Sequence, residues 1–118
     1  MAIHNERGIE GEVRAAGFLR QMGFGIMERN WRFGRFEIDI IASREDVLHF
    51  IEVKTRHSDA YGFPEESVTR KKFANIKRAA EEFHFRNPEW REIQYDILSV
   101  SRRAGMKDEF VLFEDVFI

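Results

Sequence analysis

Four charged residues stand two apart in stretches that otherwise read as β-strands: Glu37 and Asp39 in FEIDIIA, Glu52 and Lys54 in FIEVKTR. Side chains alternate faces along a strand, so Glu37, Asp39 and Ile41 share one face and Phe36, Ile38, Ile40 and Ala42 the other. In the next strand Leu48, Phe50, Glu52 and Lys54 share a face. The polar run Ser43–Asp46 predicts a turn that sends the chain back antiparallel. Either simple register then sets Asp39 opposite or diagonal to Glu52, with roughly 5–8 Å between Cβ atoms. Carboxylates gathered at the rim of a covered face repel unless a proton or a cation settles among them. The chain has no cysteine, and His4, His49, His57 and His84 show no ligand spacing, so the donors are oxygens. Such a set suits a hard divalent ion, Mg²⁺ or Mn²⁺. Beside a lysine, that ion is equipment for phosphodiester hydrolysis.

A further acid comes from the N-terminal segment. There Ile9, Val13, Ala16 and Leu19 recur at helical spacing, and Glu12 falls between Leu19 and Ala16 on the wheel, on the apolar stripe. An inward salt bridge or a helix N-terminal interaction explains Glu12 equally well. A half-solvated sheet face, with Lys54 neutralising a carboxylate, likewise explains the strand charges.

The elements that must position these residues follow from periodicity. A helix is expected over about Asn5–Met22, stopped by Gly23. Ile26–Phe33, Phe36–Ala42 and Val47–Thr55 read as strands, with Gly34 and Arg35 as a turn. A polar segment from Arg56 to Ser67 reads as a binding loop. A second helix over Val68–Arg86, with Phe73, Ile76, Ala80 and Phe83 inward, ends at Asn87-Pro88. Ile93–Ser101 and Phe110–Ile118 read as strands. The order αβββαββ predicts an α/β architecture, a central mixed β-sheet flanked by helices.

At 118 residues, with no repeat or linker, the chain is expected to form a single domain over 1–118. Neither a membrane span nor the apolar core of a secretory signal is visible, so a cytoplasmic location is expected. The net charge of −2 argues against a surface coated with phosphate contacts. The middle block is more basic, with 7 basic and 3 acidic side chains over residues 54–78. Trp31 and Trp90 offer base stacking or plain packing.

The ordered set GEVRAAGFLRQMGF, ERNWR, EIDIIA, FIEVKTR, YGFPEESV and YDILSV resembles the YraN-like uncharacterised protein family. Through it the chain resembles the PD-(D/E)XK nuclease superfamily, of restriction-endonuclease-like fold, and archaeal Holliday junction resolvases. The resemblance implies a Mg²⁺- or Mn²⁺-dependent endonuclease acting on DNA, including branched DNA, with a homodimer among its assemblies. It makes Asp39 and Glu52 metal ligands, with the Val53 carbonyl as a third. Lys54 becomes the catalytic lysine and Glu12 a further ligand or an orienter of water. Thr55, Arg56, Lys71 and Lys72 would meet nucleic acid, with Asn75 a further candidate, and Glu37 would support the cluster. Ile38 stands where a proline is common in the superfamily, and Phe36 where a glycine is expected. Two alternatives stand beside an enzyme: a nucleic-acid-binding or partner-binding module without turnover, and a structural domain whose sheet face is salt-bridged.

Overall fold

The structure, a computed structural model, describes residues 2–56 and 69–116, with side chains from Gly11 onward. The chain runs α1 (Ala2–Gln21), β1 (Gly25–Phe33), β2 (Phe36–Arg44), β3 (Val47–Arg56), α2 (Arg70–Arg86), β4 (Glu92–Ser101) and β5 (Glu109–Phe113). This is the expected α/β order, αβββαββ. The five strands form one mixed sheet in the order β1-β2-β3-β4-β5, antiparallel except between β3 and β4. The parallel pair requires a crossover, and α2 supplies it.

Each face of the sheet has its own core. Ala15 and Leu19 of α1 pack with Phe24, Ile40, Ala42, Ile51, Leu98 and Val100 on one side. Ile76, Ala79, Ala80 and Phe83 of α2 pack with Ile38, Ile41, Leu48, Phe50 and Ile97 on the other. Strand β3 is central and contributes to both, which explains its apolar run VLHFI. Trp31 meets Phe83 edge-on at 5.3 Å between centroids, so it is a packing residue. Trp90 packs against the same core.

Several boundaries differ from expectation for identifiable reasons. The β2–β3 turn is only Glu45-Asp46, both at positive φ (51° and 65°), between the paired Arg44 and Val47. That is the backbone of a two-residue hairpin, and it lets both strands run further than the polar letters suggest. Strand β5 ends at Phe113, short of the expected Phe110–Ile118 run. Asp115 has φ 56°, its N–H donates to Asp96 Oδ1 at 2.9 Å, and the Val116 N–H donates to the Tyr95 carbonyl at 2.9 Å. These bonds draw the segment off the ladder. Val13, expected inward, is 49 % exposed. It lies about 100° round the helix from Glu12, at the margin of the stripe that Ala15, Ala16 and Leu19 bury. The expected binding loop beyond Arg56, the start of the second helix at Val68, and His57 lie outside the described residues, as does the side chain of His4.

The strict alternation expected along β2 also fails. Ile40 and Ala42 face α1, but Ile38 joins Ile41 on the α2 side. The break falls at Asp39.

These burial patterns set an expected stability contrast. Leu48→Ala, at a fully buried position, should cost about 3 kcal/mol. Phe85→Ala, at a side chain 80 % exposed, should stay within about 0.5 kcal/mol. Urea denaturation of the two variants measures both.

Candidate active site

Backbone pairing between β2 and β3 runs from Arg44↔Val47 to Ile40↔Ile51. One step further the same register sets Asp39 against Glu52, the directly opposed arrangement among those the sequence allowed. At that point a side chain takes over from the ladder: Asp39 Oδ2 accepts the Val53 N–H at 2.8 Å. Asp39 and Glu52, both half-buried, stand close enough for their side chains to hydrogen-bond.

The electrostatics follow from that contact. Burial, the hydrogen bond with Glu52 and the charge of Glu52 push Asp39 up from 3.8 to about 9, against the Val53 N–H. The charge of Glu12 adds to the rise. Glu52 moves the other way. Burial would raise it, but the hydrogen bond from Asp39 and the ammonium groups of Lys72 and Lys54 hold it below its usual range. Glu52 thus carries the negative charge, and Lys72 Nζ lies 3.2 Å from its Oε2. Thr69 caps α2 by accepting the Lys72 N–H at 3.2 Å, fixing the helical turn that carries this lysine. Lys54 is depressed by burial and by a hydrogen bond with Lys72. Lys72 is raised, because Lys54, Glu52 and Asp39 outweigh its burial.

The structure therefore brings together Asp39, Glu52, Lys54 and Lys72, with the Val53 peptide between them. Glu12 stands at the edge of the group, near enough for its charge to act on Asp39 and held by the Asn30 side chain, whose Nδ2 donates to Glu12 Oε2 at 2.5 Å. Glu37 points elsewhere, into an ion pair with Arg32 at 2.7 Å. Thr55, Lys71 and Asn75 are exposed and Arg56 is half-buried at the end of β3. The sequence marked Lys72 for nucleic acid, and its ion pair with Glu52 was not legible there, because it joins a loop-distant helix to β3. Asn30 carried one signal: an asparagine among strand-forming neighbours in MERNWRF.

A second polar group lies on the α1 face. His49 and Asp96, 3 % and 2 % exposed, pair at 2.6 Å between Nδ1 and Oδ2. Asp96 Oδ1 accepts from Gln94 Nε2 at 2.9 Å and from the Asp115 N–H. Glu114 joins them, paired with Arg44, which lies over the Phe24 ring. Donor atoms of His49, Asp96 and Glu114 all lie within 4.8 Å of one another, so these residues could hold a metal ion. Ligand spacing among the histidines could not reveal this group, since its members come from β3, β4 and the segment after β5.

A mixed five-stranded sheet between two helices, with a half-buried carboxylate pair and two lysines where two of its strands part, defines the class of domain. The chain belongs to the uncharacterised protein family UPF0102, whose profile matches residues 11–100. It is 41 % identical over 118 residues to a UPF0102 protein of Flavobacterium psychrophilum, covering 99 % of this chain and 98 % of the relative. It is 42 % identical over 99 residues to one from Cytophaga hutchinsonii, covering 83 % and 87 %. A relative from Dictyoglomus thermophilum is 42 % identical over 98 residues, covering 82 % and 83 %.

A pH dependence follows in chelator-treated protein. Asp39 keeps its proton in the fold up to about 9 and only to 3.8 when unfolded. Its contribution to stability is therefore whole below the unfolded value and is lost as pH rises through the folded one. The melting temperature should fall more steeply between about pH 5 and pH 9 in wild type than in Asp39→Asn. Parallel curves would contradict the assignment.

Proposed function

We propose that this protein is a divalent-metal-dependent endonuclease that hydrolyses DNA phosphodiesters, built on the PD-(D/E)XK plan. One observation carries the reading: Asp39 and Glu52 converge, half-buried and within hydrogen-bonding reach of each other, beside Lys54 and Lys72. A pair of carboxylates that must hold a proton to coexist is a pair that a cation would relieve. The donors are hard oxygens, which fit Mg²⁺ or Mn²⁺.

Asp39 and Glu52 would hold the ion, with the Val53 carbonyl as the implied third donor. When bound, it supplies Lewis-acid polarisation of a phosphoryl oxygen and acidifies water. The remaining roles belong to the chain. Lys54 lies on the same strand face as Glu52, where its ammonium stabilises negative charge growing on phosphate oxygens. Lys72 neutralises Glu52 in the resting protein and can turn to a phosphate once another cation takes its place. Glu12, at the rim, orients a water. Thr55, Arg56 and Lys71 extend the cationic approach along the end of β3 and the first turn of α2, where the helix dipole also favours an anion. Branched DNA is the first substrate to try, on the resemblance to Holliday junction resolvases, and a homodimer would present two such sites to one junction.

The competing reading is a nucleic-acid-binding or partner-binding module without turnover. Its support is the Lys72–Glu52 ion pair, which already satisfies the charged carboxylate, together with the net charge of −2.

Cleavage assays separate the two. With Mg²⁺ or Mn²⁺ and a panel of branched and linear DNA, wild type should cut, and Asp39→Asn, Glu52→Gln and Lys54→Ala should each lose about 10²–10³-fold in rate while keeping the wild-type circular dichroism spectrum. Salt-sensitive DNA binding without cutting in any divalent ion would favour the module instead.

A further inference from the structure

We infer that Asn30 is a positioning residue of the carboxylate site, shaping the strand opposite Asp39 with its backbone and fixing Glu12 with its amide. The inference rests on the metal-dependent reading proposed for that site.

Asn30 lies inside β1 between Arg29, paired with Ile40, and Trp31, paired with Ile38, so it stands across from Asp39. Its φ is 54°. That left-handed backbone is uncommon for residues other than glycine, and asparagine is one of the few that adopts it at low cost. Strain of this sort inside a strand, away from any turn, calls for a compensating gain. Two gains are visible.

The first concerns the backbone. At the level of Asn30 the facing of both strands changes. Ile40 packs toward α1, while Ile38 and its partner Trp31 pack toward α2. Strand β2 therefore turns as it passes Asp39. The Asp39 carboxylate reaches β3 in the place of a backbone carbonyl, and there it accepts the Val53 N–H. A regular β1 would keep Ile38 and Ile40 on one face and hold Asp39 on the opposite one.

The second concerns the side chain. Asn30 Nδ2 donates to Glu12 Oε2. Glu12 belongs to α1, on the other side of the sheet from Lys72, and a glutamate with three free torsions would otherwise sample many positions. The amide engages one carboxylate oxygen, and no side chain among the described residues takes the second, which is open to a water or a ligand. Aspartate at position 30 would keep the backbone preference but set a like charge against Glu12. Glycine would keep the backbone and delete the amide. The two roles are thereby separable.

Mn²⁺ titration calorimetry on the full chain without DNA tests this. Asn30→Gly should unfold like wild type yet bind Mn²⁺ about tenfold more weakly, the lower end of what supporting partners of metal ligands contribute. Asn30→Asp should lose at least as much, and it serves if the glycine variant folds poorly. Glu12→Gln should show a similar loss, and Glu12→Gln combined with Asn30→Gly should be no weaker than either alone, as expected of residues acting as one unit. A wild-type Mn²⁺ affinity in both Asn30 variants, or losses that add in the double variant, would overturn the inference while the metal site stands. Failure of wild type itself to bind Mn²⁺ would overturn the metal reading and this inference with it.

Discussion

Two half-buried carboxylic acids held side by side cannot both be charged at low cost without a partner, and the contact between Asp39 and Glu52 sets the terms for the structure around it. Each neighbour answers that constraint. The Val53 N–H stabilises Asp39 from the backbone. Lys72 and Lys54 stabilise Glu52 from the α2 side. What those partners leave uncompensated appears as the raised pKa of Asp39.

The fold exists in a form that can deliver those partners. The parallel pairing of β3 with β4 obliges the chain to cross over, and the crossover helix α2 opens beside Glu52 with Thr69 and Lys72 in its first turn. The antiparallel pairing of β2 with β3 opposes Asp39 to Glu52. On the reverse face, His49 and Asp96 tie β3 to β4 and to the segment after β5, so the strand that carries Glu52 is held from behind. Asp96, engaged by Gln94, His49 and the Asp115 N–H, stabilises that arrangement through hydrogen bonds to both of its carboxylate oxygens.

Much of this was legible in the sequence because it follows from periods and breakers. Apolar spacing located both helices, and Gly34 and the polar Ser43–Asp46 run located the hairpins. The charged pairs in FEIDIIA and FIEVKTR pointed to Asp39, Glu52 and Lys54, which the fold does bring together. What escaped the sequence depended on local backbone or on long-range partners. Period-two counting put Glu37 beside Asp39, but the turn of β2 at Asp39 and the nearby Arg32 draw Glu37 away. It placed Ile38 with Ile40, and the left-handed Asn30 separates them. His49 has no ligand at helical or strand spacing; its partners Asp96 and Glu114 come from distant parts of the chain. Val13 lies close enough to the stripe on the helical wheel to be counted inward, yet at its margin the side chain is 49 % exposed.

The central claim is that Asp39 and Glu52 form a cation site. Thermal unfolding with and without millimolar Mn²⁺, on wild type and on Asp39→Asn, tests it most directly, since a ligand that binds only the native state raises its melting temperature. The account predicts a rise in wild type that is absent from Asp39→Asn. An equal rise in both proteins, or no rise in either, would contradict it.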